Sequence, residues 1–310
     1  MHGSREMLVC VLAASLFYTA PIAARTITVN CNEGMTFSNS LNELRPFDDN
    51  TVRVMGTCHE AIYIGNFAQL SITGVDSETG HAVMKGITGK AIFWIVGSHV
   101  QLTNLTIDGG LFGVMCRDFS VCRFSSNTIE NNTSNGVDVD NADATFSGDL
   151  IQNNTNYGLI MTASRVRLSQ VTVKGTIAGP SGQGNGVDAE SGSTITVDGL
   201  TSEQNQGAGI SLIGAHLTNQ FWVGKLTVSN NATGGIWITE QSSGDLSGAT
   251  VINNTGAAGV VITGNSETSF WGGGTFTGND PADVYCGPLN GIAAGPQYAN
   301  IGFTNCPSTY

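Results

Sequence analysis

Four carboxylates near the middle of the chain share a spacing that acid–base or cation chemistry can use. In Gly136-Val137-Asp138-Val139-Asp140, and again in Gly186-Val187-Asp188-Ala189-Glu190, a glycine opens an alternating run whose second and fourth following residues are acidic. Alternation with period two is the mark of a strand with one buried face. Val137, Val139, Val187 and Ala189 therefore point inward, and Asp138, Asp140, Asp188 and Glu190 point out. Two carboxyls about 6.5–9.5 Å apart can serve as the acid and base of an inverting glycosidase. A set of carboxylate oxygens can instead hold Ca²⁺. Either use requires the two runs, distant in the chain, to be neighbours in space.

A repeat brings them together. A glycine followed by an apolar–x–apolar triplet recurs at Gly113, Gly136, Gly158, Gly186, Gly209, Gly235 and Gly259, in steps of 22 to 28 residues. Between these lie short β-rich segments that end in polar turns, among them "NTIENN", "DLIQNN", "KLTVSNN" and "ATVINN". Self-similarity at this period signals a solenoid. The Leu-x-x-Leu-x-Leu framework of leucine-rich repeats is missing, and no helical stretch separates the strands. The pattern predicts an all-β parallel solenoid of β-helix type, with turn asparagines stacked along its axis. Coils at about 4.8 Å spacing put Asp138 and Asp188, two coils apart, roughly 9–10 Å from each other.

Reading outward positions coil by coil gives Met115 and Arg117, Asp138 and Asp140, Ile160 and Thr162, Asp188 and Glu190, Ser211 and Ile213, Trp237 and Thr239, Val261 and Thr263. Asp138 and Asp188 are the candidate catalytic pair. Arg117, Asp140, Glu190 and Trp237 are the candidate substrate-binding residues. The four carboxylates are the candidate calcium ligands, and Trp237 offers an apolar face for a sugar ring unless the segment "HLTNQFW" covers it. Outward acids on a solenoid can also serve solubility alone. The histidines His59, His81, His99 and His216 are scattered and read as surface or capping residues. No G-x-S-x-G elbow supports a serine nucleophile.

The formal net charge is −12 and charged residues make up 12% of the 310. With no basic stripe, nucleic acid is not an expected partner. A polyanion would be repelled by the average field unless a bound cation reversed it. The apolar run from Met7 to Phe17, continued to Ala24 and followed by polar β-sequence from Arg25, reads as a signal peptide. No later span has the 18 apolar residues that a membrane helix needs. The expected location is therefore secreted, periplasmic or at the cell surface.

Cysteine usage agrees. Apart from Cys10 in the signal segment, six cysteines remain: Cys31, Cys58, Cys116, Cys122, Cys286 and Cys306. An even number in an exported chain suggests disulfides; about 15 pairings are open, and local clustering favours Cys31–Cys58, Cys116–Cys122 and Cys286–Cys306. No CxxC or His-x-x-x-His spacing supports zinc.

Phe37, Leu41 and Leu44 fall on one helical face that Pro46 ends, which predicts a helix capping the first coil. The expected organisation is a signal peptide over 1–24, an N-terminal strand and capping helix over 25–50, coils over 51–280, and a disulfide-closed cap over 281–310. The asparagines also create sequons, for example at Asn131, Asn132, Asn153, Asn231 and Asn253; their fixed place in the repeat favours turn-building.

The segments "TITVNC", "TVRVMGTCHEAIYIGNFAQLSITG" and "GVMCRDFSVCRFSSNTIENN" resemble secreted right-handed parallel β-helix repeat proteins of the pectate-lyase-like superfamily, uncharacterised exported bacterial members above all. The resemblance spans residues 26–278. It implies the right-handed fold and an extracellular polysaccharide as partner. It does not imply one activity, because this superfamily hosts lyases, hydrolases, esterases, epimerases and non-catalytic surface proteins. "SNGVDVD" is similar to the Asn-Thr-Asp-Gly segment of polygalacturonases, but Ser134-Asn135 stands where the Thr-Asp pair would bring the catalytic acid. The later Asp-Asp, Gly-His-Gly and Arg-Ile-Lys segments are absent, as is the Asp-Pro-His-Asp motif of alginate epimerases. The expected function is polysaccharide binding through the exposed sheet. The alternatives are a lyase or inverting hydrolase acting on a uronate-type polymer, and a structural or adhesive surface module.

Overall fold

The computed structural model describes residues 24–76, 81–288, 291–294 and 299–306. The expected signal segment lies almost wholly outside the described residues. Successive coils wind as a right-handed parallel solenoid of about 11 turns. Each full coil gives one strand to a ten-stranded parallel sheet, and the remaining strands form a larger sheet that wraps the other sides.

The ten strands are β1 (Ile62–Gly65), β2 (Phe93–Val96), β3 (Val114–Arg117), β4 (Val137–Asp140), β5 (Tyr157–Thr162), β6 (Asn185–Glu190), β7 (Ile210–Ile213), β8 (Ile236–Thr239), β9 (Val260–Ile262) and β10 (Val284–Cys286). Their register is continuous. Met115 pairs with Asp138, Asp138 with Ile160, Ile160 with Asp188, Asp188 with Ser211, and Ser211 with Trp237. The inward residues Val137, Val139, Leu159, Met161, Val187 and Ala189 are fully buried.

The glycine before each triplet has a steric cause. A Cβ on Gly136 would lie 2.6 Å from both Asn154 Nδ2 and the Gly158 carbonyl oxygen. Only glycine lets the chain turn past the stacked asparagines there.

Those asparagines occur as pairs because two adjacent positions need different things. The first takes the left-handed conformation, with φ of 55° at Asn131 and Asn153 and 57° at Asn230 and Asn253, which Asn tolerates better than most residues. The second turns inward and is buried, as at Asn132, Asn154, Asn231 and Asn254. Its side chain continues a ladder: Asn132 Nδ2 donates to Asn154 Oδ1 at 2.8 Å, Asn205 to Asn231 at 2.9 Å, Asn231 to Asn254 at 2.9 Å, and Asn254 to Asn279 at 2.9 Å. Thr176 interrupts the run and leaves its hydroxyl buried without a partner. A serine ladder at another corner, which the sequence reading missed, joins Ser98 to Ser120, Ser164 to Ser193 and Ser242 to Ser266 through N–H donation to hydroxyl oxygen.

The predicted N-terminal helix forms as α1 (Phe37–Asn42), with Phe37, Ser40 and Leu41 buried. Glu60 accepts the backbone N–H groups of Phe37 at 2.5 Å and Ser38 at 3.0 Å, satisfying donors that a helix start leaves open. Leu44 is buried just beyond it. All three favoured disulfides are present, with Cα–Cα distances of 5.2, 6.4 and 4.9 Å in chain order. Among the described residues no helix is long and apolar enough to cross a membrane.

Candidate functional site

The outer face of β3 to β8 carries the predicted residues in two columns. One runs Met115, Asp138, Ile160, Asp188, Ser211, Trp237; beside it run Arg117, Asp140, Thr162, Glu190, Ile213, Thr239. Their environments differ sharply.

Arg117 sits one rung from Asp138 and Asp140. Its Nη2 donates to Asp138 Oδ2 at 2.9 Å, and its Nη1 lies 4.0 Å from Asp140 Oδ2. Only 13% of the Asp138 side chain is exposed. Burial pushes the Asp138 carboxyl above its ordinary range, and the guanidinium opposes that push.

Asp188 departs from expectation. Although it points to the outer face, it is only 2% exposed. Ile160 and Ser211 flank it on the neighbouring rungs, and Asn185 Nδ2 donates to its Oδ2 at 2.6 Å. Oδ1 is buried and makes no hydrogen bond of standard geometry. Among the described residues no basic side chain forms an ion pair with it. Burial therefore pushes the Asp188 carboxyl up to about 7; Glu190 adds to the shift, while Asn185 and Ser211 resist it. The picture of an open acid at this position is corrected: the flat sheet does not by itself guarantee exposure.

Three residues not assigned to the site from the sequence, Asn135, Asn185 and Tyr157, complete the arrangement. Asn135 stands three residues before Asp138, as Asn185 does before Asp188, and weakly opposes the upward push on the Asp138 carboxyl. The signal was available, since Asn-Gly-Val-Asp stands at both 135–138 and 185–188. Tyr157, between them, pairs with Asn185. Its phenol is pushed up by burial, with Asp188 and Glu190 adding to the effect. The longest step of the repeat, from Gly158 to Gly186, holds a loop that borders this end of the rungs. Gly179 and Gly182 pair within it, and Asn156 Nδ2 donates to Ser181 Oγ at 2.8 Å.

The four carboxylates expected as calcium ligands, Asp138, Asp140, Asp188 and Glu190, are not gathered into one cluster. Among the described residues no three His, Cys, Asp or Glu side chains converge on a point that one ion could occupy. The donors lie on two rungs with Ile160 and Thr162 on the rung between them, and Asp138 and Asp140 already face Arg117.

Trp237 is half-buried. Its indole N–H donates to the Thr233 carbonyl at 3.0 Å, and its ring packs beside Ala257, Ala258 and Val261. The "HLTNQFW" segment does not cover it, since Phe221 packs instead over Gly248 and Gly272 on another side. His59, His81, His99 and His216 are all exposed. His81 meets Asp76 at 2.8 Å and His216 meets Ser243 at 2.8 Å, far from the carboxylate columns.

Comparison with known proteins agrees with this architecture. The profile of the family described as "Right handed beta helix region" matches residues 46–178 and 90–255. A search of curated protein sequences gives no match. Among solved structures, the chain is similar to pectate lyase Pel9A at 12% identity and TM-score 0.56, covering 93% of this chain and 83% of the other. It is similar to the A-module of the Azotobacter vinelandii mannuronan C-5 epimerase AlgE6 at 13% identity and TM-score 0.56, covering 84% and 92%. It is also similar to a point mutant of the periplasmic alginate epimerase AlgG at 14% identity and TM-score 0.55, covering 90% and 77%. At such identities the likeness concerns the fold. With its profile matched over more than half of its length and its strands in register, the chain belongs to the right-handed β-helix family.

Proposed function

We propose that the protein is exported and binds an extracellular polysaccharide along the outer face of β3 to β8. The observation that carries this reading is the unbroken register of that face. It sets Arg117, Asp138, Asp140, Glu190 and Trp237 in two straight columns. Rungs about 4.8 Å apart come close to the length of one pyranose unit, so a glycan aligned with the solenoid axis would meet a polar group or ring on successive residues. The structural neighbours are named for pectate, mannuronan and alginate, which supports a polysaccharide ligand. Three disulfides fit an oxidising compartment.

Charge narrows the ligand. Arg117 is engaged by Asp138 and Asp140, Glu190 adds a further carboxylate, and the carboxylates do not form a metal cluster. Such a face favours neutral sugars over polyuronates.

A second reading is catalysis, by a lyase or an inverting hydrolase. Asp188, pushed up to about 7, would hold a proton near neutral pH, and Asp138 two rungs away would act as the partner. The 2% exposure of Asp188 weighs against direct contact with substrate, so binding is the main conclusion.

The test incubates the protein with immobilised pectin, alginate and a neutral β-glucan, with and without Ca²⁺, and assays new reducing ends and unsaturated products. Binding to the neutral glucan without products is expected, with no need for Ca²⁺. New chain ends would establish the second reading. Absence of binding to all three would contradict both.

A further inference from the structure

We infer that a separate sugar-binding cleft lies at the N-terminal end of the same face, built by Tyr63, Trp94, Phe112 and Lys90. This inference rests on the polysaccharide reading above and extends it to a site the repeat pattern does not reveal. β1 and β2 put aromatic residues at the head of the column that continues as Met115, Asp138, Ile160, Asp188, Ser211 and Trp237. Tyr63 and Trp94 are register partners, 59% and 47% exposed, with ring centroids 5.9 Å apart and planes at 87°. Single exposed aromatics are ordinary. Two on adjacent rungs, beside a cavity, are not.

The cavity has a volume of about 440 Å³ and is also lined by Leu111 and Met115. That is within the size range of small-ligand sites, which pair apolar walls with a few polar groups. Here the polar group among the lining residues is Lys90, whose ammonium suits sugar hydroxyls, while the Tyr63 ring extends over Gly65 beside the cavity. The aromatic rings suit the apolar C–H face of a pyranose.

Continuity identifies the occupant. Met115 lines the cleft and pairs on the next rung with Asp138, so the cleft opens onto the proposed polysaccharide face with no intervening strand. Tyr63 and Trp237 are separated by seven rung steps, or about 34 Å of solenoid axis at ~4.8 Å per rung. A glycan filling both sites would run to several sugars, with one end held by the aromatic pair.

The test follows the indole N–H resonance of Trp94, assigned through Trp94→Phe, by NMR of the whole protein titrated with soluble β-gluco-oligosaccharides and oligouronides of two to eight units. A saturable shift is expected, weakened at least tenfold by Tyr63→Ala and persisting for short oligosaccharides in Asp138→Asn/Trp237→Ala. That persistence separates the cleft from the acidic columns, whose own failure would show only as unaltered affinity of the double variant for long chains. Absence of any shift, or one indifferent to Tyr63→Ala, would overturn the cleft. So would a shift produced by raising protein concentration without sugar, which would assign the rings to a second copy of the chain. Both aromatic side chains are partly solvent-facing, and Tyr63→Leu, which removes the ring and keeps the Trp94 signal, gives a second, milder variant should Tyr63→Ala fail to fold.

Discussion

Asp138 and Asp188 stand in one column with only Ile160 between them, yet one is paired to a cation and the other is not. Asp138 meets Arg117 at 2.9 Å, whereas Asp188 is held by the neutral Asn185 amide at 2.6 Å. Equal sequence positions in the repeat thus have unequal electrostatics.

Asp188 should make stability pH-dependent in an unusual direction. Its folded carboxyl is raised from 3.8 to about 7, so folding favours the protonated form. This group's contribution is most favourable below the unfolded value, declines as pH rises from about 4 to about 7, and is flat above. Asp188→Asn removes that penalty. Calorimetry should show a melting temperature several degrees higher than wild type at pH 8 and nearly equal at pH 4, given about 2–4 °C per kcal/mol for a domain of this kind.

Removing Arg117 should act oppositely at Asp138. Arg117→Met leaves a mostly buried carboxylate without its cation. A loss of about 1–3 kcal/mol at pH 7 is expected from denaturant unfolding, intermediate between surface and buried ion pairs. Asp138→Asn in the same background should recover most of it.

The asparagine ladder gives a paired test. Asn231 is fully buried, accepts from Asn205 and donates to the Ser202 carbonyl and Asn254. Asn231→Ala should destabilise by about 3 kcal/mol or more, because buried partners are left unpaired at ~1–3 kcal/mol each. Thr176→Asn, which fills the gap in the ladder, should stabilise by about 1 kcal/mol. Urea unfolding midpoints check both.

The disulfides differ in the loops they close. Cys31–Cys58 spans 27 residues and Cys116–Cys122 only 6. Chain entropy assigns about 3.5 and about 2 kcal/mol to them. Paired serine substitutions should therefore cost more at the first bridge, since both bridges place sulfur in the core and differ mainly in loop length.

The repeat was legible because glycine, the alternating triplet and the paired asparagines each answer a local backbone demand. The steric limit at Gly136 recurs from Gly113 to Gly259, and left-handed turns like those at Asn131 and Asn153 recur beside it. Cysteine pairing followed from proximity along the chain. The site was legible only as a list of outward positions. Exposure of Asp188 depends on Ile160, Ser211 and Asn185, which meet it only through register across coils. Trp237 is tied by the Thr233 turn. Tyr63 and Trp94 lie in early coils where insertions blur the period, so their alignment with Met115 and Asp138 emerges only from pairing. The serine ladder escaped notice because Ala142 and Ala215 interrupt it.

The most direct measurement of the central claim is isothermal titration of a long neutral β-glucan into wild type and Asp138→Asn/Trp237→Ala. Glycan binding along the outer columns predicts saturable binding by wild type and at least a tenfold weaker affinity for the double variant, with both proteins folded by circular dichroism. Equal affinities, or heat of binding from neither protein, would contradict it.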